Sequence, residues 1–346
     1  MMKPCIWLML DSRNSGGIES HVGQLAKGLD TRGYDIWVVF WQLYRAEHPL
    51  RSELQQHGIK TLVLGGSVWR YLRAVRKCKP AIIHTHGYKS GLISRVFGWF
   101  INAELVASFH AGETPKGRVW WYDWLDRQSA HWCQTRIAVS QQIARRLKCQ
   151  VTVIDNFVEL PKTASHVTAD KSTIAFVGRL AHEKAPERIL QMARCLPEQS
   201  FDIYGDGPLR AELVANAPNN VHFHGDIANM QAHWPHIGLL LLPSHAEGLP
   251  MVALEAMASG CSVIATPVGA LPELLRQVHG CQLIEGDNIE LWCQAIIQWQ
   301  QRDVTQQQCD AAASIARVEQ QYSSDAIVPK FEAIYANAIY PNATNA

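Results

Sequence analysis

The sequence predicts an α/β protein made of two doubly wound parallel-sheet domains in tandem, facing a central cleft. Three observations predict it. Short apolar runs of strand length alternate with amphipathic stretches, the pattern of βαβ units and a parallel sheet. A polar segment, PKTASHVTAD at 161–170, breaks the alternation before it restarts, as an interdomain linker does. A chain of 346 residues with 47% hydrophobic content is long and apolar enough for two packed cores.

In the first half, strands are predicted at 6–10, 36–40, 60–64, 81–84, 104–109, 136–139 and 151–154, with helical patterns between them, as at 18–31 and 88–100. After the linker come strands at 173–177, 201–204, 221–223, 238–242, 262–265 and 282–284. The predicted domains are therefore 1–160 and 171–322, followed by a helix at 323–340 and a frayed tail at 341–346. Pro329 is placed near the first turn of that last helix, where proline is tolerated. Doubly wound domains take ligands at the carboxyl ends of their strands, so the expected site lies between the two.

Composition excludes several classes. No apolar stretch nears the roughly 18 residues of a membrane span, and the N-terminus lacks a cleavage signature for secretion. Nine cysteines sit far apart with no Cys-x-x-Cys pair, so neither a disulfide framework nor a zinc site is indicated, and a cytoplasmic setting is expected. Net charge is only +1 but unevenly spread: residues 1–160 hold 21 Lys and Arg against 12 Asp and Glu, the remainder 11 against 19. The first half also holds nine of the twelve tryptophans. A basic, Trp-rich half points to an anionic partner, with a bilayer surface the leading candidate and no nucleic acid expected. The competing expectation is that the charges are merely solvated and that any single tryptophan is core. Two basic helices could touch a membrane: one at 68–77, with Val68, Leu72 and Val75 on one face and Arg70, Arg73 and Lys77 on another, and one at 117–132, where Trp121, Trp124, Leu125 and Trp132 cluster beside Lys116, Arg118 and Arg127.

The most informative motif is EGLPMVALE, which separates Glu247 from Glu255 by eight positions between two strand-like runs. It reads as strand, loop, helix and strand, with Glu247 on the loop and Glu255 about one turn inside the helix. The free N–H groups and positive dipole end of that helix suit a phosphate. Two hydroxyl-binding carboxylates flanking a phosphate seat describe a site for a nucleotide-sugar. Arg179, after the strand FV (176–177), and Lys184 five residues on would sit at a strand's carboxyl end, where they could hold a diphosphate.

Other turns are less specific. Gly16 and Gly17 follow the first strand and open a helix, letting backbone N–H groups approach an anion. This is not the Gly-x-Gly-x-x-Gly fingerprint, which disfavours a nicotinamide enzyme. Gly205 lies in YGDGP (204–208), which ordinary turn chemistry also explains. His110 ends a strand and would look into the cleft, where it could exchange a hydrogen bond or proton with the substrate. His84 and His86 have an i, i+2 spacing that could suit a metal, but no third ligand is evident in the sequence, and a cleft-lining role is preferred. No Asp-x-Asp occurs, so no metal is expected against the diphosphate.

Together these motifs resemble the retaining glycosyltransferases of the two-domain GT-B architecture, family 4. The resemblance rests on SGGIE (15–19), VGRL (177–180) with Lys184, GDGP (205–208) and the glutamate pair inside EGLPMVALEAMASGCSVIAT, in this order. It implies that Glu255 holds the ribose hydroxyls and Glu247 faces the transferred sugar. It further implies that Arg179 and Lys184 bind the diphosphate, that the Gly16-Gly17 loop closes on it, and that His110 stands by the donor sugar. Gly205, Gly248, Leu249, Met251 and Val252 complete the implied donor-binding set, and the last helix would cross back to the first domain. One departure is Ala185, where members commonly have glycine; it puts the local backbone geometry in doubt, not the cation.

The expected activity is metal-independent transfer of a hexose-type sugar from a nucleoside diphosphate, UDP foremost, to a hydroxyl of a glycan or glycolipid in bacterial surface-polysaccharide or lipopolysaccharide synthesis. The expected setting is cytoplasmic, peripheral on the inner face of the membrane. Alternatives are a non-catalytic nucleotide-sugar-binding scaffold and a phosphorylase or epimerase relative. Specificity for the sugar, base, linkage position and acceptor is expected in loops 11–14, 88–89 and 111–116.

Overall fold

Each apolar run of the first half becomes a strand: β1 (Cys5–Leu10), β2 (Asp35–Phe40), β3 (Lys60–Val63), β4 (Ile82–His86), β5 (Glu104–Phe109), β6 (Thr135–Ala138) and β7 (Thr152–Val153). The connecting helices are α1 (Gly17–Asp30), α2 (Pro49–Gln56), α3 (Val68–Cys78), α4 (Tyr88–Val96), α5 (Arg118–Gln128) and α6 (Gln141–Arg146). The computed structural model describes residues 4–11, 16–44, 48–110, 118–147, 149–161, 171–227 and 229–340. Most of the predicted linker (162–170), the tail, loops 12–14 and 111–116, and the Lys116 and Arg118 side chains lie outside the described residues.

Two compact units emerge. Residues up to Glu159, with those from Ser324 onward, make the first, and Leu160–Ser323 the second. Among the described residues the first unit has a parallel sheet in the order β3-β2-β1-β4-β5-β6-β7. Because the chain starts in the middle and winds first one way and then the other, α1 and α2 cover one face while α3 and α4 cover the other. Strand residues alternate sides, so Ile6, Leu8 and Leu10 meet α1 while Trp7, Met9 and Val39 meet α3 and α4. Helix α1 presents Val22, Leu25, Ala26 and Leu29 to the sheet, the i, i+3, i+4, i+7 stripe of a half-buried helix. Ser67 caps α3 by accepting from the Arg70 N–H. Helix α5 packs beside α4, and the buried Arg95 of α4 pairs with Asp126 of α5.

The second unit repeats the plan with β8 (Thr173–Val177), β9 (Phe201–Tyr204), β10 (Val221–Gly225), β11 (Ile237–Leu242), β12 (Ser262–Ala265) and β13 (Gln282–Leu283), in the order β10-β9-β8-β11-β12-β13. Its helices are α7 (Glu187–Cys195), α8 (Arg210–Asn216), α9 (Met251–Ala258), α10 (Leu271–Leu274), α11 (Ile289–Gln300) and α12 (Val304–Gln321). Asp303 and Gln306 start α12 with a reciprocal capping box.

Helix α13 (Ser324–Ile339) belongs to the first unit, where Ile327, Val328, Phe331 and Tyr335 join the core beneath α1. Its start corrects the placing of Pro329. That proline is the sixth helical residue, past the first turn, so the helix loses one internal hydrogen bond there. The expectation for tryptophan also needs correcting. Trp7 and Trp41 are core, but Trp69, Trp99, Trp120, Trp121, Trp124 and Trp132 are exposed. Sequence spacing marks a helix face but does not say whether anything packs on it.

Candidate active site

In each unit the motif residues gather where the sheet reverses its winding. In the second unit the neighbours β9, β8 and β11 send three turns to one carboxyl edge: 205–208, 178–184 and 243–250. Open α/β sheets bind ligands at this switch point, because successive crossovers leave the sheet on opposite faces and open a crevice there.

Backbone bonds fasten these turns together. The Gly178 N–H donates to the Tyr204 carbonyl at 2.9 Å and the Leu180 N–H to the Asp206 carbonyl at 3.0 Å. Gly205 has φ +136°, and a Cβ there would lie 2.0 Å from the Gly178 carbonyl oxygen. A side chain at this position would therefore force the two turns apart. The Glu183 carbonyl accepts from the His245 N–H at 2.9 Å, which draws the Lys184 turn to the Glu247 loop.

Lys184 and Glu247 meet directly. The ammonium lies 2.7 Å from each carboxylate oxygen, and the Ser244 hydroxyl donates to Oε1 at 2.7 Å. Glu247 is only 5% exposed, so these partners stand in for the water its oxygens lack. Gly269 supports the loop from beyond β12: at φ +61° its backbone lies against the Glu247 and Gly248 carbonyls, 2.4 and 2.3 Å from where its Cβ would be. Sequence reading missed both Ser244 and Gly269. Only the isolated glycine after a strand end hinted at the second.

Ala185 adopts the left-handed conformation, φ 48° and ψ 49°, and is buried. This conformation costs an L-residue about 1–2 kcal/mol, which accounts for glycine at this place in the resembled family. The lysine is still delivered to Glu247, so the departure leaves the cation in position.

Helix α9 is buried nearly all round, with Val252, Glu255 and Ser259 on its partly open stripe. Their i, i+3, i+7 spacing puts Glu255 above Val252 on one side, while Leu249 and Met251 are buried at the helix start. Gly248 is partly open, and its carbonyl accepts from the Ala270 N–H at 2.8 Å. Arg179 is exposed and makes no ion pair among the described residues.

In the first unit, β1, β4 and β5 are neighbours. Gly16 and Gly17 are exposed at the start of α1, after β1. Gly16 is extended at φ −170°, so it is the open approach to the helix end, not backbone strain, that distinguishes this turn. His110 follows β5, half-buried, with its Nε2 3.1 Å from His86 Nδ1 and its ring 4.9 Å from that of His21. His84 bonds the Tyr335 hydroxyl of α13 at 2.7 Å and Ser108 at 2.8 Å.

The cleft-lining role expected of His84 and His86 is thus corrected. Both are fully buried, because β4 is central and covered on each face. A third histidine does stand near, which sequence spacing could not show: His21, His86 and His110 each place a nitrogen within 4.8 Å of the others. His182, Glu187 and His245 form a second, more exposed group of the same span. These two groups are the ones among the described residues whose donors could converge on a cation.

Burial holds His21 down at about 4 and keeps His84, His86 and His110 well below the usual imidazole value, with repulsion among neighbouring histidines adding to it. The stack is therefore neutral at pH 7. In the His86–His110 contact one ring donates and the other accepts. An orphan N–H is costlier than an orphan lone pair, and His86 Nε2 is buried without a partner among the described residues. His86 is then the Nδ1–H donor, and His110 carries its proton on Nδ1.

The architecture is that of GT-B glycosyltransferases. The structure of Anabaena Alr3699/HepE in complex with UDP and glucose superposes with a TM-score of 0.80 at 18% identity, over 97% of this chain and 100% of that one. The lipopolysaccharide outer core galactosyltransferase WaaB in its apo form superposes at 0.65 and 16% identity, over 97% and 99%. Family models match as well: Glycosyltransferase Family 4 over residues 15–161 and Glycosyl transferases group 1 over residues 171–302. The chain belongs to this glycosyltransferase family. Among curated relatives, the O-antigen biosynthesis glycosyltransferase WbnH of Escherichia coli is 32% identical over 142 residues, 40% of this chain and 38% of WbnH. The D-inositol 3-phosphate glycosyltransferase of Mycobacterium bovis is 30% identical over 150 residues, 39% of this chain and 31% of that protein. This chain therefore aligns with only about a third of the relatives' length.

Two outcomes are expected of the full chain. Lys184→Ala leaves a buried carboxylate without its cation and lowers stability by about 3 kcal/mol, whereas Lys184→Ala with Glu247→Ala recovers most of it; thermal unfolding of the three proteins checks this. A neutral buried histidine leaves the unfolded chain holding more protons, so stability is full above pH 6.5 and falls as pH drops toward about 4. The thermal midpoint of wild type should fall below pH 6.5, and that of His21→Phe should fall less steeply over the same range.

Proposed function

We propose that the chain is a retaining glycosyltransferase that moves a hexose-type sugar from UDP to a hydroxyl of a glycan or glycolipid in bacterial surface-polysaccharide or lipopolysaccharide assembly. The observation that carries this reading is the Lys184–Glu247 pair at a sheet switch point, one loop before a helix that bears Glu255 on its open stripe. A pyrophosphate at the N-terminus of α9 would meet free backbone N–H groups. Lys184 has three N–H donors; two reach Glu247, leaving one for a phosphate oxygen. Arg179, exposed and unpaired among the described residues, supplies the forked cation. Glu255 takes the ribose hydroxyls and Glu247 faces the sugar.

The barrier falls because fixed cations stabilise charge that builds on the departing diphosphate as the sugar becomes oxocarbenium-like. The acceptor approaches on the face the phosphate leaves, and that phosphate takes the acceptor's proton. Glu247 acts electrostatically. From the first unit, His110 with the Gly16–Gly17 turn is assigned to the sugar and phosphates, His110 as a neutral hydrogen-bonding group. The UDP and UDP-glucose complexes of Alr3699/HepE support the choice of donor. The names of WbnH and WaaB support the acceptor class. With Arg179, Lys184 and a helix end to neutralise the diphosphate, no metal is required.

No helix among the described residues is long and apolar enough to cross a membrane. A glycolipid acceptor is reached in this reading by peripheral association of the basic first unit with the inner face of the cytoplasmic membrane.

Calorimetry with UDP should show Glu255→Ala binding about tenfold or more weakly, the loss expected when a charged hydrogen-bond acceptor is removed. Arg179→Ala should chiefly slow sugar release from UDP-hexose; unchanged binding and rate in the two variants would remove the donor assignment. Transfer should survive EDTA, and proton NMR of the product should show the donor's anomeric configuration retained. Loss of activity on chelation would overturn the metal-free mechanism, and an inverted product the retaining one.

A further inference from the structure

We infer that the outer surface of α3, α4 and α5, with the short turns Gly98–Phe100 and Ser129–Trp132 that follow the last two, is a docking face for a bilayer with anionic headgroups. The inference deepens the proposed membrane-borne acceptor by naming the protein surface that meets the lipid.

Large apolar side chains left in solvent are concentrated here. Of the fifteen exposed among the described residues, ten lie between Trp69 and Trp132, while the other five are scattered. The extremes are aromatic: Trp99 is 95% exposed, Trp69 82%, Phe100 68% and Trp121 60%. The helices that carry them form one layer over one face of the first unit's sheet, joined by the Tyr71–Ser94 hydrogen bond at 3.1 Å between α3 and α4 and by the Arg95–Asp126 pair between α4 and α5. Exposed large apolar side chains concentrated on one layer of helices mark an interaction surface.

Charge identifies the partner. Helix α3 exposes Arg70, Arg73, Arg76 and Lys77 and has no acidic residue; nor does α4. The two acids of α5 both turn inward, where Asp123 pairs with Arg127 and Asp126 with Arg95. Among the described side chains of the three helices the exposed charges are thus all positive, and they are those of α3. Tryptophan with Arg and Lys, and with no exposed carboxylate, is the chemistry of a lipid headgroup layer: the indole sits at the water–acyl boundary while the cations meet phosphates.

Co-sedimentation of the full chain with phosphatidylcholine vesicles, with and without phosphatidylglycerol, tests this at low salt. Wild type should pellet with the anionic vesicles and be released by salt. Two variants should each partition about tenfold or more weakly: Trp99→Ser with Phe100→Ser and Trp132→Ser, and Arg73→Glu with Arg76→Glu. UDP affinity serves as the check that both variants are folded, since none of these residues is assigned to the donor. Equal partitioning of wild type and folded variants, or no binding by wild type, overturns the inference. So does a wild-type dimer in sedimentation that the aromatic variant dissolves, which would make a second copy the occupant. Transfer to a soluble glycan without vesicle binding would defeat the docking face alone; vesicle binding through this face without sugar transfer would defeat the enzymatic reading alone.

Discussion

A parallel sheet that begins in its middle strand must reverse direction once, and both units are organised by that reversal. The chain leaves β1 for β2 and β3, then crosses back to β4; it leaves β8 for β9 and β10, then crosses back to β11. The loops after the two central neighbours are carried to opposite faces, so the edge between them stays open. Every motif residue assigned to the sugar nucleotide lies on a strand-end loop beside such an opening, or on the helix that begins there. The glycines that matter, Gly205 and Gly269, let backbones touch at this edge.

The two openings handle polarity differently. In the second unit a buried carboxylate is held by a lysine and a serine hydroxyl. In the first unit four histidines pack together and burial keeps them neutral. Neutrality has a structural reason: protonating one ring would place a poorly solvated cation among three neutral rings. The hydroxyl of Tyr335, from the last helix, completes the stack, so residues more than 200 positions apart in sequence support the surroundings of His110 together.

Surface composition follows a third logic. The helices on the α1 face bury their apolar stripe and cover it again with α13, whereas α3, α4 and α5 bury one stripe and leave aromatic side chains on the other. Helix propensity does not require tryptophan there, and the core does not use it. The acids that would offset the neighbouring arginines have been turned inward, which leaves a face of one sign.

Much of this was legible in the sequence because it is local. A strand is a short apolar run, and its partner helix is a periodic one; β5, β8, β9 and β12 begin and end where the runs do. The glutamate spacing placed Glu247 on a loop and Glu255 a turn inside α9 because helix geometry is set by neighbours in the chain. Tertiary structure alone decided what depends on distant segments meeting. It brought Lys184 onto Glu247, set Gly269 beneath the same loop, and gathered His21, His84, His86 and His110 from one helix and two strands and their ends. It also decided which tryptophans are covered, since a residue's burial depends on what the rest of the chain lays over it.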